Sequence, residues 1–178
     1  MFDARQIANW FVRRAAADGR QLTIMQLLKL VYIAHGWHLE MRGAPLFSNR
    51  IEAWQHGPVI PEVYRAFRGS SVVVQRESPL AQGAVFSAAY ERFLDEIYTI
   101  YGNRSAFELS RITHVPGGPW DTTMKTEGLY GRLDDDVGRL AALDPQGHLD
   151  VGERGEGVAP RQPGLAQVHA ELRLVAAR

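Results

Sequence analysis

Residues 23–64, TIMQLLKLVYIAHGWHLEMRGAPLFSNRIEAWQHGPVIPEVY, constrain the fold more than any other stretch, because their local signals are dense and agree. Thr23 with Gln26 three residues later is a capping box, each side chain serving the other's backbone amide at a helix start. Leu27, Leu30, Val31 and Ala34 then recur at helical spacing, which predicts a helix over residues 24–41, about 27 Å long. Gly43 after Arg42 supplies the left-handed residue that closes such a helix. Leu46-Phe47 and 51–54 are short runs of strand formers separated by Ser48-Asn49-Arg50, which predicts a tight hairpin lying on the helix. Gln55-His56-Gly57-Pro58 reads as a rigid corner, because Pro58 lacks an amide donor and Gly57 permits a sharp bend. Pro61 opens a further helix carrying Val63, Tyr64 and Phe67.

The flanking segments add helices. Asp3 caps a first helix whose apolar stripe is Ile7, Trp10, Phe11 and Ala15, stopped at Gly19. Arg5, Arg13, Arg14 and Arg20 lie mostly off that stripe and read as a solvated face, since Asp3 and Asp18 share the segment. Residues 69–83 read as a surface connection with a short extended piece at 72–74. From Ser87, an N-cap, Tyr90, Phe93, Leu94, Ile97, Ile100 and Tyr101 keep helical spacing up to Gly102. Ser105 and Glu108 form another capping box opening a helix over 106–114, with Leu109, Ile112 and Thr113 inward. Pro116-Gly117-Gly118-Pro119 predicts irregular chain, with Trp120 as the anchor pinning that loop to the core.

Two blocks, LLKLVYIAHGWHLEMRGAPLF running on to IEAWQHGPVIPEVYRAF, and later YGNRSAFELSRITHVPGGPW, occur in the order that characterises one family. The chain resembles the Panacea domain, found in phage-associated proteins and SocA-like antitoxins. The resemblance spans most of residues 3–120. It implies an antitoxin that binds and neutralises a cognate toxin protein, and in the SocA branch one that acts as a proteolytic adaptor handing the toxin to a bacterial AAA+ protease.

With 178 residues and 46% hydrophobic content, the chain is long enough for one buried core. The expected organisation is a mainly α domain with a small β-hairpin over 1–143, a Gly/Pro-rich linker over 144–164, and a short amphipathic C-terminal helix over 165–178. Within the first unit, Asp134 or Asp135 caps a last helix through Val137, Leu140 and Leu143. The net charge is zero, so no global field draws the protein to nucleic acid or an anionic membrane. Cysteine is absent, which removes disulfides and thiolate metal sites. The N-terminus lacks a secretory pattern and no stretch is apolar enough to span a bilayer, so a cytoplasmic protein is expected.

Chemistry is sparse. His35 and His38 lie three apart on the central helix, and His56 and His114 would have to converge on them to make a metal site. No serine occupies a nucleophile elbow, and no glycine-rich loop has phosphate-binding spacing. Neither enzyme activity nor a cofactor is expected. The residues nominated for toxin binding are Tyr32, His35, Trp37, Trp54, His56, Gly57, Pro58, Tyr64, His114 and Trp120. Two other readings stay open here: a metal-dependent hydrolase using the four histidines, and a phage-associated DNA-binding regulator, which would need a basic face.

Overall fold

The computed structural model describes residues 1–69, 73–74 and 76–134. Its elements in chain order are α1 (Ala4–Ala17), α2 (Ile24–Arg42), β1 (Ile51–Trp54), β2 (Gly57–Val59), α3 (Pro61–Phe67), a 3-10 turn (Pro79–Ala81), α4 (Ala88–Tyr101), α5 (Ala106–Thr113), α6 (Pro119–Thr126) and β3 (Arg132–Leu133). The protein is mainly helical, with a small antiparallel sheet of strand order β2-β1-β3. The predicted last helix, linker and C-terminal helix, from residue 137 onward, lie outside the described residues.

Helix α2 is the axis of the molecule. Its Thr23–Gln26 capping box forms, and Gly43 closes it at φ 62°. Every residue from Leu27 to Leu39 is buried, so the helix has a core on all sides and not one apolar stripe. It contacts α1, α3, α4, α5 and β2, and this encirclement buries even Lys29, His35 and His38. Sequence periodicity describes one face of a helix; only the neighbours decide how many faces are covered.

Helix α1 starts on the Asp3–Gln6 capping box and packs its stripe against α2 and α4. Asn9 on this helix is 1% exposed and ties down the long connection before α4. Its amide donates to the carbonyls of Ser78 and Ala81, and its oxygen accepts from the Ser78 N–H at 2.7 Å. The expected extended piece pairs Val73 with Thr23, and the Val74 N–H donates to Leu22 O at 2.8 Å. The arginines off the α1 stripe are engaged: Arg5 with Asp3, Arg13 with Glu77, Arg14 with both Asp18 and Asp95, and Arg20 with Asn103. That pairing cancels much of the basic face that a DNA-binding reading needs.

Two local expectations change. Leu46-Phe47 is not a strand paired with β1; Phe47 makes a single parallel bridge with Phe2. The reason is Asn49, whose side-chain oxygen accepts the Ala4 N–H at 2.7 Å and pins the 48–50 segment to the start of α1. The hairpin partner of β1 is β2, with Trp54 opposite Gly57 and Ala53 opposite Pro58. Gln55-His56 is thus a two-residue turn, and the Gly-Pro corner is itself a strand. Proline is admitted because β2 is an edge strand, where a missing N–H breaks no ladder.

Residues 116–119 do not stay irregular either. Gly118 is the N-cap and Pro119 the first residue of α6, a position where proline's fixed φ favours a helix and its missing N–H costs nothing. Trp120 therefore anchors a helix and not a loop, its indole donating to Trp54 O at 2.9 Å.

The caps give a direct test. Thr23 accepts from the Gln26 N–H, whereas Ser87 at the start of α4 makes no side-chain cap bond. Thr23→Ala is expected to lower unfolding stability by about 1 kcal/mol, and Ser87→Ala by clearly less, measured as urea midpoints at constant m.

Candidate functional site

The strongest constellation gathers where the β1–β2 hairpin meets α2, α5 and α6. Lys29 is 0% exposed on α2, and its ammonium donates to Pro58 O at 3.0 Å. No carboxylate pairs with it among the described residues, and burial pushes its pKa from 10.5 down to about 7. Gly57 makes the room. Its φ is 101°, and a Cβ there would stand 2.8 Å from His114 Cε1 and 3.1 Å from Thr113 Oγ1 while pressing on the Lys29 amine. Any side chain at this position would therefore meet both a disallowed backbone conformation and the lysine.

His114 caps the C-terminal end of α5 and holds its ring by hydrogen bonding between Nδ1 and Ser110 O. Burial lowers its pKa, opposed by the Ser110 carbonyl, and the neighbouring Lys29 and His56 push the same way as burial. Its ring meets Trp120 edge to face at a centroid distance of 4.0 Å. Trp54 packs edge to face on Tyr64 at 5.1 Å, and its own indole donates to Glu52 at 2.9 Å. Aromatic contacts thus join the hairpin to α3 and α5 to α6, and the Trp120 indole, donating to Trp54 O, links the two pairs.

On the solvent side of His114 lies an open cleft of about 460 Å³, lined among others by Met25, His56, Phe107, Ser110 and Arg111. Phe107 is 73% exposed there, although it sits on an ordered helix. A large aromatic held out of the core by a capped helix is suited to contact and adds little to packing.

Of the ten nominated residues, the structure brings Trp54, His56, Gly57, Pro58, Tyr64, His114 and Trp120 together around the hairpin. Tyr32, His35 and Trp37 belong to the core of α2. Tyr32 is 2% exposed, and its phenol is pushed well above its ordinary range by burial. The His35 ring lies 4.1 Å from that of Phe47, and the Trp37 indole donates to Tyr101 at 3.1 Å. His38 is also internal, its Nδ1 2.6 Å from Ala44 O and its ring stacked near Tyr90. His35 and His38 are thus enclosed in the core, apart from His56 and His114, which share the cleft. Among the described residues no group of three or more His, Asp and Glu could hold a metal ion.

Residues 27–121 match the family model of the antitoxin SocA-like, Panacea domain, which covers more than half of the chain. The chain belongs to that family. The match runs from Leu27 in α2 through the hairpin, α3, α4 and α5, and ends just beyond Trp120. The chain is also 34% identical over 136 residues to antitoxin SocA of Caulobacter vibrioides (strain NA1000 / CB15N), covering 71% of this chain and 72% of that protein. No solved structure matches it. Among the described residues, no helix of this Panacea-domain protein is long and apolar enough to cross a membrane.

Lys29, Thr113, Met25, Phe107 and Arg111 were not among the nominated residues. Lys29 had a legible signal, a lone charge inside the apolar run LLKLVYIA. Phe107 had one too, since it falls off the Leu109–Thr113 face of α5.

The buried amine predicts a pH dependence. Between about pH 7 and 10.5 the unfolded chain keeps a proton on Lys29 that the folded chain has released, so stability rises with pH across that window. The slope is at most about 1.4 kcal/mol per pH unit. His38 and His114, both lowered, act below it: stability falls as pH drops under 6.5. Lys29→Met should flatten the upper limb in urea titrations from about pH 7 to about 9.5, below the tyrosine range, and lessen the lower limb to the extent that Lys29 depresses His114. Gly57→Ala should cost at least about 2 kcal/mol by the same measurement, since backbone strain and the clash add.

Proposed function

We propose that this chain is an antitoxin that binds a co-encoded toxin protein and neutralises it by burying the toxin's working surface, without catalysis of its own. The observation that carries this reading is the exposed Phe107 beside His56 and Arg111 at an open cleft, on a framework shared with a family of antitoxins. Behind the cleft Lys29 and His114 are aimed at backbone carbonyls, while Phe107 is left 73% exposed at its mouth. One large apolar side chain in a concave, partly polar rim is the arrangement from which a few residues dominate an interface. The hairpin turn Gln55-His56 forms part of that rim and is held from behind by Lys29 through Pro58. The adaptor mode, in which the bound toxin is handed to an AAA+ protease, is the finer form of the same reading and leaves this interface unchanged.

The test is co-expression with the neighbouring reading frame, scoring growth and recovering the complex on tagged antitoxin. The neighbour should arrest growth alone, be harmless together with this protein, and co-purify with it. A harmless neighbour that does not bind removes the reading. Phe107→Ala should weaken the complex by about tenfold or more without lowering the thermal midpoint, since the ring is exposed in the free protein. Toxin half-life measured with and without the cell's AAA+ proteases separates delivery from blocking: delivery shortens it, blocking does not.

A further inference from the structure

The outer face of the small sheet carries a second feature that the cleft does not use. Along β1, Ile51 and Ala53 point into the core while Glu52 and Trp54 point outward, as strand alternation requires. Trp54 is flanked by aromatic rings on two sides: Tyr64 at 5.1 Å and Tyr130 at 5.7 Å, both edge to face. The Arg68 guanidinium lies 5.9 Å from the Tyr64 ring centroid. At the other end, Arg50 donates to Tyr130 O at 3.4 Å. Arg68, Tyr64, Trp54, Tyr130 and Arg50 therefore form one continuous strip, arginine at each end and three rings between.

Trp54 and Tyr64 also pack on the core, and two further observations bear on the outward side of the strip. Tyr130 has φ 68°, the one non-glycine residue with positive φ among those described, and it is 56% exposed. A left-handed backbone is strained for tyrosine, yet its ring gains little burial in return. The backbone keeps it there: its N–H donates to Ala53 O at 2.7 Å, and Gly131 O accepts from Ala53 at 2.9 Å. The second observation is charge. Glu52 engages Arg50 at 3.2 Å, but Arg68 has no carboxylate partner among the described residues. Arg68 also lines a cleft of about 300 Å³ with Arg76, in which the Glu77 carboxylate is taken by Arg13 at 2.8 Å. The strip thus ends at Arg68 in positive charge with no carboxylate partner among the described residues, beside rings that are half-buried at Tyr64 and Trp54 and exposed at Tyr130.

We propose that this strip is a docking surface for an acidic segment of a protein partner, with carboxylates meeting Arg68 and apolar groups lying on Tyr64, Trp54 and Tyr130. That the partner is a protein rests on the antitoxin reading; the acidic character rests on the strip itself. Arginine and large aromatics are the residue types on which binding energy concentrates, and bidentate pairing favours carboxylate. A single-stranded nucleic acid could also stack on rings flanked by arginine, and the test separates it.

The experiment uses the full chain labelled with nitrogen-15, with the Trp54 indole signal assigned through Trp54→Phe. It is titrated with an oligoglutamate peptide carrying phenylalanines, with the matching oligolysine peptide, and with oligothymidylate. The acidic peptide should shift the Trp54 indole saturably and more weakly at high salt, and the oligolysine peptide should not. Arg68→Glu should weaken this binding about tenfold or more. Tyr130→Gly should weaken it as well while leaving the thermal midpoint unchanged or higher, because glycine relieves the backbone strain. No shift at Trp54, equal binding to Arg68→Glu, or tighter binding of oligothymidylate would overturn the proposal. Co-purification of the neighbouring gene product is scored separately: if that fails while the peptide result holds, the antitoxin reading falls and the acidic docking strip stands.

Discussion

The hydrogen bond from Lys29 to Pro58 O is the interaction on which the arrangement of the site depends. It joins the most buried helix to the edge strand of a very small sheet, and it does so with a group that is expensive to bury. An ammonium without a carboxylate partner is stabilised poorly in the interior, and its pKa falls until the neutral amine is accessible near neutral pH. A methionine of similar length would fill the space without that penalty, so packing alone does not account for a lysine here. What the lysine adds is direction: one polar group aimed at one carbonyl sets where β2 lies on α2. Gly57 is the counterpart of that choice, because its missing side chain is what lets the amine and the His114 ring approach the strand.

From this contact the remaining geometry follows outward. With β2 fixed, β1 is placed by its ladder, and the Gln55-His56 turn projects at the rim of the Phe107 cleft. Trp54 then offers its backbone oxygen to Trp120 on one side and its ring to Tyr64 and Tyr130 on the other. One short hairpin therefore serves two surfaces, a cleft bordered by α5 and an aromatic strip on the outer sheet face. The polar groups nearest the cleft, Lys29 and His114, are spent on backbone carbonyls, which fixes the direction of both side chains.

Much of the fold was legible because it rests on local chemistry. The boxes at Asp3, Thr23 and Ser105 and the glycine cap at Gly43 formed where the residues demanded them, since each is a contact between neighbours in sequence. The errors fell where a distant group intervened. Leu46-Phe47 has strand-forming side chains, but Asn49 is claimed by the first turn of α1, so the hairpin forms one segment later. Pro119 looked like part of a breaker and instead starts a helix, because its neighbours follow on in helical conformation and its indole-bearing successor finds Trp54. Of the nominated residues, those in the Trp54–Tyr64 block and the later His114–Trp120 block did assemble. Tyr32, His35 and Trp37 did not, because on a helix buried on every side, polarity no longer marks a surface.

The sequence by itself determined the helical character, the caps that open α1, α2 and α5, the kinship with a family of antitoxins, and the motif blocks from which the site is drawn. These are carried by residue type and spacing, which act over a few positions. Only the tertiary structure decided that Lys29 is enclosed, that Gly57 must have no side chain, that Phe107 stays in solvent, and that Tyr130 is held left-handed beside Trp54. Burial, steric exclusion and strain belong to contacts between residues far apart in the chain. No local pattern encodes them until the chain has folded.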